Sequence, residues 1–384
     1  MKIAYIMRYW PVYGGGETIT VSLANELVCR GHEVHALYTY HNTSEPMPYD
    51  LDPRIRQMQL HTIERYDLKD VNLLHDYLLQ NQIDVMINQW GSTTLCDEAR
   101  RGTKTKLVTC WHLDVVQKQS PSSTKQKILR FLLGDKYFQR YRQKKQLENH
   151  FNNFNRSDKY VFLSRSFEEN YRVLSKIKNF ENKLESVPNP LTYDLNYNRA
   201  DMARKKKQVL FVGRILESHK RVSYALKIWK QIEDDVDYSD WNFKIVGDGP
   251  DMGLIKKLSA DLDLKRASFE GFRDPRPYYN ESSIFVMTSA FEGFGMTLVE
   301  AQQYGVVPMA MDSYLSLHDI VENGINGIII ENDNIEEYVS KLKKLMSNET
   351  ERRSMAYAGL DSCKRFSVKA IVDHWEKLFN QLME

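Results

Sequence analysis

The chain has 384 residues, 42% of them hydrophobic, and a formal net charge of only +2. That length exceeds one ordinary core and calls for two domains, and the near-zero charge removes bulk attraction to nucleic acid as a basis for function. Four cysteines (Cys29, Cys96, Cys110 and Cys363) stand apart with no C-x-x-C or Cys/His spacing, which argues for reduced thiols in a cytoplasmic protein and against structural zinc.

The opening run, MKIAYIMRYWPV, is broken by Arg8 and Pro11. It reads as a buried first strand, Lys2–Met7, and not as a signal peptide. No apolar run approaches the roughly 20 residues needed to span a bilayer. After the loop RYWPVYGGGE, Ile19, Leu23 and Leu27 recur at four-residue spacing on the buried face of a helix that Gly31 stops, and Glu33–Tyr38 is the next strand. This is a βαβ start with Gly14-Gly15-Gly16 in place of the dinucleotide fingerprint. A glycine triplet there is either a flexible turn or a place where backbone comes close to a ligand.

Further strands are expected at 84–88, 106–110 and 160–164. His112 follows the second of these in WHLD, with a structural or a functional reading open to it. Residues 118–150 interleave Lys and Arg with Ile128, Phe131, Leu132, Tyr137 and Tyr141. Such a segment is either a solvated helix with a core stripe or a basic amphipathic surface for an anionic membrane. Pro188 and Pro190 close the first half, and the polar run 193–207 reads as a linker. Residues 1–190 carry 27 Lys/Arg against 21 Asp/Glu, the remainder 26 against 30.

Alternation of strand and helix resumes at Gln208–Val212. Arg214 and Lys220 follow it six residues apart, as surface charges or as two cations beside a diphosphate. GDGP follows the strand Phe243–Val246, and FEGFR follows at 269–273. The strand Ile284–Met287 then leads into SAFEGFGMTLVEAQQY. A strand, a glycine turn and a helix in that order present unpaired N–H groups and a positive helix end to an anion. Glu292 stands before the turn and Glu300 on the helix, where Thr297 and Glu300 also fit a capping box. A glycosidase needs two carboxyls roughly 5–9.5 Å apart, whereas eight helical residues rise about 12 Å. A terminal helix, Val368–Met383, carries Ile371, Trp375, Leu378 and Phe379 on one face.

These motifs together resemble family 4 retaining glycosyltransferases of the GT-B fold. GGGE with RGHEV, His112, VGR…K, IVGDGP and E-x7-E occur in the family's order, and only 118–150 and 191–207 match poorly. The resemblance implies an α/β fold of two Rossmann-like domains facing each other across a deep cleft. The acceptor-side domain would be 1–192, the linker 193–207 and the nucleotide-sugar domain 208–366, with a helix at 367–384 packing back on the first domain. It implies catalytic roles for Glu292, His112, Arg214 and Lys220. Donor binding would fall to Gly14 and Gly15, to Phe294, Gly295, Met296 and Thr297, to Glu300 at the ribose, and to Gly271, Phe272 and Arg273 at the base.

The implied activity is retaining sugar transfer from a nucleotide diphosphate-sugar, a UDP-sugar first and GDP-mannose second, onto a glycan or lipid-linked acceptor in bacterial surface-polysaccharide synthesis. Same-face internal return needs no enzyme nucleophile. With no D-x-D motif, no metal or other cofactor is expected, and no nucleic acid partner. The expected place is the cytoplasm or the inner face of the membrane. The alternatives are a sugar-nucleotide epimerase, whose signatures are not apparent, and a non-catalytic partner subunit, against which intact Glu292, Glu300, Arg214 and Lys220 count.

Overall fold

A computed structural model describes residues 1–10, 15–41, 51–117, 123–175, 177–180, 182–195 and 197–384, apart from the side chains of residues 15–17 and 133. It forms two compact units, Met1–Pro190 with Ile371–Glu384, and Leu191–Ala370.

The first unit is built on β1 (Lys2–Trp10), β2 (Glu33–His41), β3 (Arg56–Gln59), β4 (Val85–Asn88), β5 (Lys106–Trp111), β6 (Lys159–Phe162) and β7 (Leu184–Ser186). All pairs are parallel, in the order β3-β2-β1-β4-β5-β6-β7. Central strands of a parallel sheet are covered on both faces, so they are written as unbroken apolar runs. Ile3 to Met7 and Val85 to Ile87 are accordingly buried. The helix Gly15–Cys29 buries Ile19, Leu23 and Leu27 as their spacing requires.

The second unit repeats the plan with β8 (Gln208–Val212), β9 (Asn242–Val246), β10 (Ala267–Gly271), β11 (Ile284–Met287), β12 (Val307–Asp312) and β13 (Ile328–Glu331). Its order is β10-β9-β8-β11-β12-β13, again all parallel. Strand order reverses between β1 and β4 in one sheet and between β8 and β11 in the other. Open α/β sheets leave a crevice at the carboxyl ends of the strands flanking such a reversal.

The structure departs from or adds to the expectations at three places. The run 193–207 is an integral part of the second unit and not a linker. Asn198 and Asp201 form a capping box on the short helix Arg199–Arg204, Met202 is buried, and the Lys205 ammonium donates to the Tyr279 carbonyl at 2.7 Å. The basic stretch in the first unit is two helices, Thr124–Leu133 and Asp135–Arg156, split at Gly134. The second is anchored by buried Phe138, His150 and Phe154. Strands β3 and β7, both at sheet edges, were not anticipated.

The GDGP glycines owe their identity to packing. Gly247 has φ 138°, and a Cβ there would lie 1.9 Å from the Gly213 carbonyl oxygen; one on Gly249 would lie 2.3 Å from that of Ile215. In return Gly213 N–H donates to Val246 O at 3.0 Å and Ile215 N–H to Asp248 O at 2.8 Å. The loop after β9 thus buttresses the loop after β8. Gly247→Ala is expected to cost about 2–4 kcal/mol, from backbone strain and the forced displacement of Gly213. In a unit of this size that is a fall of about 5–15 °C in the thermal unfolding midpoint, followed by circular dichroism.

Candidate active site

At the reversal point of the second sheet, the loops after β8 and β11 are tied to each other. Ala290 N–H donates to the His219 carbonyl at 2.7 Å, and the Thr288 hydroxyl to the carbonyls of Lys220 and Arg221 at 3.0 and 2.9 Å. Arg221, in the left-handed region at φ 44°, caps the short helix Glu217–Lys220. Its guanidinium donates to the carbonyls of Thr288 and Ser289, at 2.7 Å each, and to Asn332 and Asp333 at 2.8 and 2.5 Å. Sequence reasoning missed Arg221. It stands beside Lys220 with the same charge, yet it is the staple that lets Lys220 point elsewhere.

Lys220 runs past Gly213, where an added Cβ would lie 3.6 Å from its Cε, and its ammonium meets Glu292 Oε1 at 2.5 Å. The Ser289 hydroxyl donates to the same oxygen at 2.6 Å. Glu292 Oε2 carries no hydrogen bond among the described residues, so this carboxylate has one oxygen fixed and one open to a ligand. Arg214 is exposed, and its side chain makes neither hydrogen bond nor ion pair among the described residues. Two cations and a half-used carboxylate therefore share one loop junction.

The helix Met296–Gln303 begins beside this junction. Gly295, its N-cap at φ 94°, offers no side chain, so the first turn is uncapped. The carbonyls of the preceding loop are occupied: Ser313 Oγ donates to Ser289 O at 2.6 Å, and Ser316 Oγ to Gly293 O and Phe294 O at 3.3 and 3.2 Å. An uncapped helix start presents amides and partial positive charge to an anion. The capping-box reading of Thr297 and Glu300 fails, because the helix starts one residue before Thr297. Glu300 instead lies buried within the unit. Its Oε1 accepts from the Thr192 hydroxyl at 2.6 Å and its Oε2 from the Tyr279 hydroxyl at 3.0 Å. Burial raises its carboxyl above the ordinary range, and those two hydrogen bonds and the charge of Lys220 oppose the rise.

Gly271 (φ 73°) ends β10, and Phe272 and Arg273 follow it, at the edge of the sheet and two strands from β8. Gly271 O accepts from Gly247 N–H at 2.8 Å and Arg273 Nε–H donates to Glu270 O at 2.9 Å, while the Phe272 ring is exposed. The structure joins this trio to the loop after β9, and not directly to Lys220 or Glu292.

In the first unit, His112 follows β5. Its Nε2–H donates to the Gln89 carbonyl at 3.1 Å, since a carbonyl can only accept, and this leaves Nδ1 as an acceptor. Burial lowers its pKa to about 4, so the ring is neutral at physiological pH. The Trp90 ring stacks on it at 4.3 Å. Trp111 packs on buried His150 at 4.4 Å. Gly15 is the first residue of its helix, and Gly14 lies outside the described residues.

Comparison with known proteins bears on this arrangement. Residues 13–194 match the family model for Glycosyltransferase Family 4, and residues 197–361 the model for Glycosyl transferases group 1. An uncharacterized glycosyltransferase of Haemophilus influenzae is 29% identical over 221 residues, 57% of this chain and 60% of that protein. The GalNAc-alpha-(1->4)-GalNAc-alpha-(1->3)-diNAcBac-PP-undecaprenol alpha-1,4-N-acetyl-D-galactosaminyltransferase of Campylobacter jejuni is 23% identical over 392 residues, 100% of this chain and 99% of that one. Among solved structures, Anabaena Alr3699/HepE in complex with UDP superposes with a TM-score of 0.76 at 16% identity, over 99% of this chain and 100% of that chain. The fold is GT-B, and with family models matching both units the chain belongs to the group 1, family 4 glycosyltransferases.

Proposed function

We propose that this chain is a retaining, metal-independent glycosyltransferase. It moves a sugar from a nucleotide diphosphate-sugar, a UDP-sugar in preference to GDP-mannose, onto a glycan or lipid-linked acceptor in bacterial surface-polysaccharide synthesis. The observation that carries the reading is the junction at the second sheet's reversal point, where Lys220, unpaired Arg214, the open oxygen of Glu292 and an uncapped helix start meet. UDP in the Anabaena protein and the undecaprenol-linked acceptor in the Campylobacter enzyme's name support the choice of donor and acceptor.

In the proposed reaction the bond from sugar C1 to the diphosphate oxygen breaks and its electron pair leaves with the diphosphate. Arg214, Lys220 and the amides of Gly295 to Thr297 offset the charge that develops there. The acceptor hydroxyl oxygen bonds C1 from the face the diphosphate leaves, and its proton passes to the departing phosphate. Glu292 Oε2 holds sugar hydroxyls and Glu300 the ribose. With two cations at the leaving group, no divalent metal has a role in the proposal.

A thermal-shift panel of UDP, GDP and ADP tests the donor. At 100 times its dissociation constant a ligand adds about 2.7 kcal/mol to the folded state. UDP is expected to raise the midpoint by about 5–10 °C, and Arg214→Ala to weaken the response about tenfold in concentration. A response to GDP alone moves the donor to GDP-mannose. No response to any nucleotide overturns the donor site in favour of a non-catalytic subunit. Transfer that survives EDTA and gives a product of unchanged anomeric configuration is expected; either failing removes that part of the reading.

The helix Thr124–Leu133 and the start of its successor belong to the same proposal, as a membrane contact. Phe131 is 87% and Leu132 71% exposed, with Ile128 and Tyr137 also open to solvent. Eight Lys/Arg against one Asp occupy residues 125–145. Exposed apolar tips amid cations suit an anionic bilayer surface, at about 1 kcal/mol per cation near the lipid. Co-sedimentation with phosphatidylglycerol vesicles, absent with phosphatidylcholine and lost more than tenfold in Phe131→Glu/Leu132→Glu, is expected. Equal behaviour of wild type and variant returns the segment to a solvated face.

A further inference from the structure

The first unit holds a cavity of about 320 Å³ that the donor chemistry leaves unused. Most of its wall comes from the loop Gln89–Thr93 after β4, the turn Trp111–Leu113 after β5, and the helix face bearing Asn149, Asn152 and Asn153, with Glu64 at one side. The loop is rigidly made. Asn88 accepts from Gly91 N–H at 2.7 Å and donates to Gly91 O at 3.0 Å, and a Cβ on Gly91 would lie 2.9 Å from Asn88 Oδ1. So pinned, the loop sets the Trp90 ring over His112.

Two features of this cavity call for a ligand of one kind. Gln89 is 7% exposed, yet its Oε1 is buried without any hydrogen bond among the described residues. Buried side-chain oxygens are almost always satisfied, so an orphan lining a cavity marks a place for a donor group. The walls are also nearly uncharged. Of their ionisable groups, His112 is neutral and the Glu64 carboxylate is paired with Arg8. Among the described residues, no Lys or Arg lines the space. An anion placed here would lose water and gain no countercharge. A neutral ring with hydroxyl or amide donors on its edge and an apolar face for Trp90 meets every demand.

We infer that this cavity is a subsite for a neutral pyranose of the acceptor, a hexose or N-acetylhexosamine and not a uronic acid or phosphorylated sugar. Gln89 Oε1 accepts from a ring hydroxyl or acetamido N–H, and exposed Asn149 supplies a second polar contact. The inference rests on the proposed glycosyltransferase activity and narrows its acceptor.

The test uses the full chain without donor. Methyl glycosides of glucose, galactose, N-acetylglucosamine and N-acetylgalactosamine are compared with methyl glucuronide and glucose 6-phosphate by saturation-transfer NMR and tryptophan quenching. At least one neutral glycoside is expected to bind and the acidic pair to fail. Gln89→Leu is expected to raise the dissociation constant about tenfold, and Asn149→Ala, at an exposed helix position that tolerates change, a few-fold. Acidic sugars binding as well as neutral ones, or both variants binding like wild type, would overturn the subsite. No glycoside bound by protein that still answers UDP overturns the subsite and leaves the donor reading standing. Glycoside binding without a UDP response supports the subsite and overturns the donor reading.

Discussion

Alanine at Lys220 is expected to lower kcat by about a hundredfold to a thousandfold with little change in the unfolding midpoint. The loop keeps its shape without the ammonium, because Arg221 and Thr288 hold the backbone on either side. What is lost is the cation at the departing diphosphate, and single preorganised charge-stabilising groups are worth a factor of this size. Lys220 has a second task, since it is the counter-ion of Glu292 at 2.5 Å. Removing it leaves a carboxylate beside a diphosphate, which repels the donor as well as failing to stabilise the leaving group. The variant should therefore show a raised KM for the donor in addition to the loss in kcat. Glu292→Gln in the Lys220→Ala background removes that repulsion. The double variant is expected to recover donor KM while kcat stays low, so the two changes will not multiply. Multiplicative effects on both constants would mean that the ion pair is not a functional unit.

How much of this was legible in the sequence follows from where each signal resides. β8 and β11 could be read directly, because Val209-Leu210-Phe211 and Ile284-Phe285-Val286 are covered on both faces and must be apolar throughout. β3, with the sequence RQMQ, and the three-residue β7 each have one neighbour and mostly polar or exposed side chains, so nothing in their composition separates them from loop. Lys220 and Glu292 were legible as residues, yet their pairing depends on β8 and β11 being adjacent, 72 residues apart in the chain. Lys220 and Arg221 are alike as charges; only the left-handed backbone at Arg221 tells the anchor from the cation that meets Glu292. The run 193–207 is polar and looks like a linker, but its cohesion lies in distant partners such as Tyr279 for Lys205. The neutral cavity was least legible of all, because its defining property is an unpaired oxygen that no residue type announces.

Glu300→Gln is expected to stabilise the protein at neutral pH and at the same time to weaken nucleotide binding roughly tenfold to a hundredfold. The stability term follows from burial. An unfolded Glu titrates near 4.3, and burial, the largest influence, raises the folded carboxyl above that despite the hydrogen bonds from Thr192 and Tyr279. Between the two pKa values the folded state holds more protons than the unfolded one, so stability falls as pH rises through that window, and the deficit persists above it. Glutamine does not titrate. The gain in unfolding midpoint of the variant over wild type should be smallest near pH 4 and grow as the pH is raised, a trend read from unfolding curves at pH 4 to 8. The binding term follows from the proposed ribose contact, since a hydrogen bond to a charged acceptor contributes about 1.5–3 kcal/mol. Deoxy nucleotides separate the two effects. Wild type should prefer UDP to its 2′,3′-dideoxy analogue, because the analogue has no hydroxyl to donate to the charged carboxylate, and Glu300→Gln should lose most of that preference. A variant less stable than wild type at pH 8 would show that the hydrogen bonds outweigh burial, and an undiminished preference for the ribose hydroxyls would remove Glu300 from the donor site.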